Sequence, residues 1–138
     1  MSTVTEVSVR GDEVLSTVVV DVSDLAPGHT RLFPFARDGE ELAGFVVNHE
    51  GTLYAYVNRC AHVTYSLDIG DGELMDRNRE FILCSVHGAR FLPESGHCFM
   101  GPAVGRSLEA LPLSHHGDEA TVSITPEPAG WPRPASVP

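Results

Sequence analysis

The chain contains no lysine. All nine of its basic residues are arginine, and they are opposed by 19 aspartates and glutamates, which gives a formal net charge of −10. Because the arginines are scattered rather than clustered, the basic footprint of a nucleic-acid-binding surface is missing. An acidic surface also repels anionic lipid and favours a partner that carries a basic patch. The composition therefore predicts a protein that binds neither nucleic acid nor membrane.

Long apolar runs are missing as well. No segment approaches the roughly 20 apolar residues that a membrane-spanning helix needs. The first residues, MSTVTEVSVRGDEV, lack the basic and apolar regions of a signal peptide. These absences predict a cytoplasmic protein. Cysteine is scarce, with three residues, and because cytoplasmic thiols stay reduced, we expect metal ligands rather than disulfides.

Glycine and proline are abundant, with 13 and 10 residues, and they favour short strands and turns over long helices. Runs that are β-branched or that alternate apolar and polar residues predict strands at 17–22, 30–36, 42–48, 52–58, 80–83, 89–92, 108–113 and 120–125. Pro34 suggests an edge position for the second of them. Residues 93–106 are predicted to be a loop. The predicted fold is all-β, with an antiparallel β-sandwich base.

Two short motifs carry residues that bind metals: Cys60-Ala61-His62 and Cys84-Ser85-Val86-His87-Gly88. Residues 63 to 83 lie between them, 21 in all. Each motif follows a predicted strand, so two loops that leave neighbouring strands can converge. Two Cys and two His suit a single zinc ion or a [2Fe–2S] cluster of mixed ligation. Usual zinc spacing pairs Cys with Cys and His with His, whereas each pair here is mixed, which favours the cluster.

The segment CSVHGARFLPESGHCFMGPA resembles the second half of the Rieske signature. In that family a His-Gly follows the second Cys, an aromatic residue lies three positions beyond the Gly, and a Gly-Pro loop covers the cluster. Here these residues are His87-Gly88, Phe91 and Gly101-Pro102. Gly88 would let the backbone approach the cofactor, and the Gly101-Pro102 loop would limit water.

The resemblance spans about residues 17–125 and implies a ligand set. Cys60 and Cys84 would bind the buried iron, and His62 and His87 the outer iron. It also implies a Rieske domain at 16–125 with a small cluster-binding subdomain at about 58–103. Outside that domain, the polar and weakly patterned residues 1–15 predict a loose N-terminal arm, and five of the ten prolines predict an extended or disordered tail at 126–138.

Within the family the chain resembles the ferredoxins of bacterial aromatic-ring oxygenases. The respiratory branch carries an extra Cys in each ligand loop, where this chain has Tyr65 and Val86, so a disulfide between the loops is excluded. Hydroxyl donors to sulfur in that branch are replaced by Ala89 and Phe91. Their loss predicts a reduction potential near the low end of the Rieske range, about −150 mV. The 21-residue spacer is longer than usual, with the excess expected around 68–79.

The resemblance implies a soluble electron carrier rather than an enzyme. A flavin-dependent reductase would supply single electrons, and a terminal oxygenase would accept them. One alternative is a small Rieske subunit of a larger oxidoreductase complex, and another is a structural zinc module. The third cysteine, Cys98, is interpreted as a thiol packed near the cluster.

Overall fold

The computed structural model describes residues 14–59, 67, 74–84, 88–101 and 105–126. Within these ranges the chain is built from β-strands and turns and contains no helix. The strands are β1 (Ser16–Asp21), β2 (Thr30–Arg37), β3 (Glu40–His49), β4 (Thr52–Val57), β5 (Ile82–Leu83), β6 (Arg90–Phe91), β7 (Cys98–Met100), β8 (Ala110–Leu111), β9 (Leu113–His116) and β10 (Glu119–Ile124). These ranges therefore hold no helix with the length and apolarity needed to cross a membrane.

The strands form three antiparallel sheets. The first sheet has the order β1-β10-β9, the second β2-β3-β4-β8, and the third β5-β6-β7. The first two sheets enclose one apolar core, and the third packs on the opposite face of the second sheet around another core. The prediction of an all-β fold with a sandwich base and a smaller added unit is confirmed. Pro34 lies in β2 at the edge of the second sheet, as predicted.

The second sheet is the central layer because apolar side chains cover both of its faces. In β4, Ala55 belongs to the core against the first sheet, and Tyr56 belongs to the core against the third. In β3, Val46 and Val47 divide in the same way, and both are fully buried. A strand that is buried on both faces needs an unbroken apolar run, which explains the sequence Phe45-Val46-Val47.

Three sequence predictions need correction. Residues 98–100, predicted to be loop, form β7, which pairs with β6 through a bulge. The predicted strand 108–113 is two strands, because Pro112 has no N–H for a ladder and the chain changes there from the second sheet to the first. The Gly- and Asp-rich segment 59–79 is predicted from the sequence to be irregular, but within it Met75 forms a bridge to Ile82. The predicted arm and tail lie almost entirely outside the described residues, so their boundaries stay predictions.

Candidate metal centre

The second ligand motif begins where β5 ends. The N–H of Cys84 donates to the carbonyl of Ala89 at 2.8 Å, and the N–H of Gly88 donates to the carbonyl of Cys84 at 2.8 Å. These two bonds close a tight turn at the end of the third sheet. Gly88 has a φ of +75°, and a Cβ there would meet nothing within 4 Å, so its backbone conformation is what favours glycine. Cys84 is fully buried, whereas His87 lies outside the described residues.

The chain after β7 passes directly over this turn. Gly101 has a φ of +98°, and a Cβ on it would lie 2.7 Å from the Cα of Ala89. Close approach of two backbones thus adds to the conformational need for glycine at this position. The turn and the segment above it form a close-fitting backbone cradle that a single methyl group would disrupt. Pro102, the other predicted cover residue, lies outside the described residues.

Cys60 and His62 of the first ligand motif lie outside the described residues. The structure describes the chain on either side of them, at Asn58 and at Leu67. The N–H of Asn58 donates to the carbonyl of Ala43 at 2.8 Å, and its side-chain oxygen accepts the N–H of Leu67 at 2.9 Å. One asparagine therefore joins the end of the second sheet to the far end of the ligand loop. No sequence motif marks Asn58, although asparagine at a strand end is a typical residue for such local hydrogen bonds.

Tyr56 connects the second sheet to the third. Its hydroxyl donates to the carbonyl of Pro93 at 2.6 Å. Its ring also packs closely against Gly96, because a Cβ on that glycine would lie only 2.7 Å from Cε1 of the tyrosine. Burial raises the pKa of Tyr56 well above its usual value, with smaller contributions from Tyr54 and Glu94. The phenol therefore stays neutral and keeps its donor. Through this contact the two sheets, and the loops that leave them, are held together.

The second half of the long spacer returns as a hairpin against β5. The carboxylate of Asp76 accepts the N–H groups of Glu80 at 2.9 Å and Phe81 at 3.3 Å. The backbone of Asp76 donates to the carbonyl of Phe81 at 2.9 Å. The other carboxylate oxygen lies 3.8 Å from Nε of Arg90. Asp76 thus organises the second half of the spacer and pairs with Arg90 of β6.

The surroundings of Cys84 are apolar. Ala89 and Phe91 are fully buried and offer no hydroxyl group. Cys98 is also fully buried in the same core, and its thiol donates to the carbonyl of Met100 at 3.2 Å. This position agrees with the interpretation of Cys98 as a packed thiol.

In the sequence, His115 and His116 with Asp118 resemble a 2-His-1-carboxylate iron site, although adjacent residues in a turn point apart. The Nε2 of His115 lies 2.9 Å from the carbonyl of Gly117, and the described residues contain no group of three or more His, Cys, Asp or Glu arranged to hold a metal. Three of the four predicted Rieske ligands lie outside those residues. Cys84 at a buried turn, an apolar environment and the Gly101 cradle fit a [2Fe–2S] cluster, since such a cofactor needs thiolate and imidazole donors in a site shielded from water.

Comparisons with known proteins agree with this fit. The ferredoxin of carbazole 1,9a-dioxygenase from Nocardioides aromaticivorans IC177 is 28% identical, with a TM-score of 0.59, and the match covers 80% of this chain and 99% of that one. A complex of reduced oxygenase and oxidized ferredoxin in carbazole 1,9a-dioxygenase contains a chain that is 25% identical, with a TM-score of 0.58 and coverage of 78% and 92%.

A third structure, the reduced complex between oxygenase and ferredoxin in carbazole 1,9a-dioxygenase, contains a chain at 17% identity and a TM-score of 0.63. That match covers 86% of this chain and 30% of the other, and it shows the fold alone. No curated protein matches. The family model described as "Rieske [2Fe-2S] domain" matches residues 16–117. The chain therefore belongs to the Rieske family, whose cofactor is a [2Fe–2S] cluster.

Proposed function

We propose that this chain is a ferredoxin-type electron carrier. It accepts single electrons from a flavin-dependent reductase and passes them to a terminal oxygenase. The observation that carries the proposal is the similarity to a dioxygenase ferredoxin over 99% of that ferredoxin's length, together with the family match. Two of the similar structures are complexes of a ferredoxin with its oxygenase, which supports an oxygenase as the partner that accepts electrons.

In this proposal Cys60, His62, Cys84 and His87 hold the cluster, with one thiolate and one imidazole from each loop. When bound, a cluster of this kind takes up and releases one electron. The chain orients the ligands through the turn at Cys84 and shields them from water by the close backbone contact between Gly101 and Ala89.

The buried surroundings favour a low reduction potential. Hydrogen bonds to cluster or ligand sulfur stabilise the more negative, reduced state, so a site with few donors has a lower potential. Ala89 and Phe91 provide no side-chain donor, and the thiol of Cys98 donates to a backbone carbonyl. The expected midpoint is near the lower limit of the family, about −150 mV.

An EPR-monitored redox titration of the purified protein tests the proposal. We expect a rhombic signal in the reduced state, with the low average g of mixed His and Cys ligation, and a negative midpoint. A silent sample with stoichiometric zinc would support the zinc module instead. A clearly positive midpoint would contradict the low potential expected from Ala89 and Phe91.

The three cysteines allow a matched test of the ligands. Cys84 and Cys98 are both fully buried in the same core. Cys84→Ala is expected to abolish the EPR signal, whereas Cys98→Ala should keep both the signal and the midpoint. The opposite pattern would show that the ligand assignment is wrong.

A further inference from the structure

The third sheet has an outer face that the apolar core does not cover. Along β5 to β7 the side chains of Ile82, Phe91 and Cys98 are fully buried in the core. The residues between them point the other way because successive side chains of a strand alternate. We define the outer face as Phe81, Leu83, Arg90, Phe99 and Met100. Phe99 and Met100 are 37% and 48% exposed.

An aromatic pair occupies one end of this face. The rings of Phe81 and Phe99 lie edge to face with centroids 4.7 Å apart. Phe99 is the extra residue of the bulge between β6 and β7, since Met100 pairs with Arg90 and Cys98 pairs with Phe91. Phe81 belongs to the hairpin that Asp76 organises, so the long spacer supplies half of the pair.

The other end of the face borders the metal centre. Leu83, Arg90 and Met100 form one row of paired residues across the sheet. Each residue of this row has a neighbour in sequence at the metal centre. Cys84 follows Leu83, Ala89 precedes Arg90, and Gly101 follows Met100. One residue step in a strand is about 3.4 Å. A protein seated on this face would therefore lie beside the ligand loop that carries His87.

The charge of this region differs from that of the rest of the chain. Residues 60–107 contain six acidic residues and four arginines, which gives a net charge of −2. The rest of the chain contains 13 acidic residues and five arginines, which gives −8. The face itself carries one cation, Arg90, whose Nη1 lies 3.4 Å from the sulfur of Met100. Aromatic residues, Met and Arg are enriched at the centres of protein interfaces.

We propose that the outer face of the third sheet is where the electron-accepting oxygenase docks, with the Phe81–Phe99 pair as its anchor. The proposal rests on the function proposed above and names the surface for it. The complementary partner surface has an apolar patch that receives the two rings and basic side chains around it. These basic side chains would be attracted by the acidic remainder of the chain.

Binding and electron transfer to purified Rieske oxygenases, including the oxygenase component of carbazole 1,9a-dioxygenase, test this surface. The cluster-loaded full chain is compared with Phe99→Ala and with Val19→Ala, a control at a 59% exposed apolar residue in β1 of the first sheet. Phe99→Ala should raise the Kd about tenfold or more and slow oxygenase reduction, with EPR spectrum and midpoint unchanged. Val19→Ala should change neither. Equal effects of the two variants, or none, would overturn the proposal.

A second variant protects the test against a folding artefact. Met100→Glu places a carboxylate on the same face, and it should weaken binding further while the EPR signal persists. Unchanged binding by Met100→Glu would overturn the proposal, as would concentration-dependent dimerisation of the wild-type chain that Phe99→Ala abolishes. If the wild-type chain reduces none of the oxygenases, the proposed function itself fails. If wild type and variants bind and reduce one equally well, only the docking surface fails.

Discussion

Substituting Gly101 tests the backbone contact with Ala89 that, in the proposed function, shields the cluster from water. Alanine at this position meets two separate penalties. A side chain at a φ of +98° is strained, which costs about 1–3 kcal/mol. Its Cβ would also lie 2.7 Å from the Cα of Ala89, so one of the two backbone segments must shift by several tenths of an ångström. Overpacking of this kind costs a further ~1–3 kcal/mol.

Gly105 provides a matched control a few residues along the chain. Its φ of +91° is similar, but a Cβ there would meet nothing within 4 Å. Gly105→Ala should therefore show the conformational penalty alone. The difference between the two variants isolates the contact with Ala89, and about 1–3 kcal/mol corresponds to roughly a 5- to 150-fold change in an equilibrium constant.

The assay has two readouts on the cluster-loaded protein. Urea unfolding gives the loss of stability, and the decay of the EPR signal during dialysis gives the rate of cluster loss. We expect Gly101→Ala to lose the cluster faster than Gly105→Ala and to unfold at lower urea. Adding Ala89→Gly should not restore the wild-type behaviour, because the closest contact is with the Cα of that residue. Indistinguishable behaviour of Gly101→Ala and Gly105→Ala would refute the reasoning.

Two further predictions concern the contacts that hold the sheets together. Tyr56→Phe removes the donor to the carbonyl of Pro93 and should lower the free energy of unfolding by about 1–3 kcal/mol in urea titrations. Because burial raises the pKa of Tyr56, its neutral form stabilises the fold below the usual tyrosine pKa of about 10, and this contribution is lost as pH rises further. The variant should therefore show a shallower alkaline loss of stability than wild type, and an identical slope would contradict the assignment. Glu109→Gln breaks the buried ion pair in which Nη1 of Arg37 lies 2.6 Å from a carboxylate oxygen of Glu109. Because both side chains are almost inaccessible to solvent, the substitution should lower the free energy of unfolding by about 3–5 kcal/mol. Asp24→Asn, at an exposed ion pair of 2.7 Å, should cost less than about 1 kcal/mol, so equal losses would argue against a burial effect.

The strand alternation could be predicted from the sequence with good accuracy. Leu53 and Ala55 face one core and Tyr56 the other, as the period of two in β4 requires. The edge position of β2 followed from Pro34, since proline cannot donate to a ladder. The family and its cofactor, expected from the two Cys-His motifs, are confirmed by the family match. The individual ligands stay predictions.

The errors arose where pairing depends on distant residues. The three residues of β7 have no strong strand signal, and they pair because β6 presents an edge to them. The break at Pro112 depends on the position of the first sheet, which no local pattern contains. Asn58 and Asp76 were missed as organising residues because their partners, Leu67 and Phe81, are identified only once the loops are folded.

The sequence by itself determined the all-β class, the alternation of the central strands and the mixed Cys-His motifs, because each depends on residues close together in the chain. Only the tertiary structure decided why Gly101 is glycine, since that reason is a distance to Ala89. It also decided that Phe81 and Phe99, 18 positions apart, meet on one exposed face. Contacts of this kind are set by how the sheets pack, and packing follows from the whole chain rather than from any one segment.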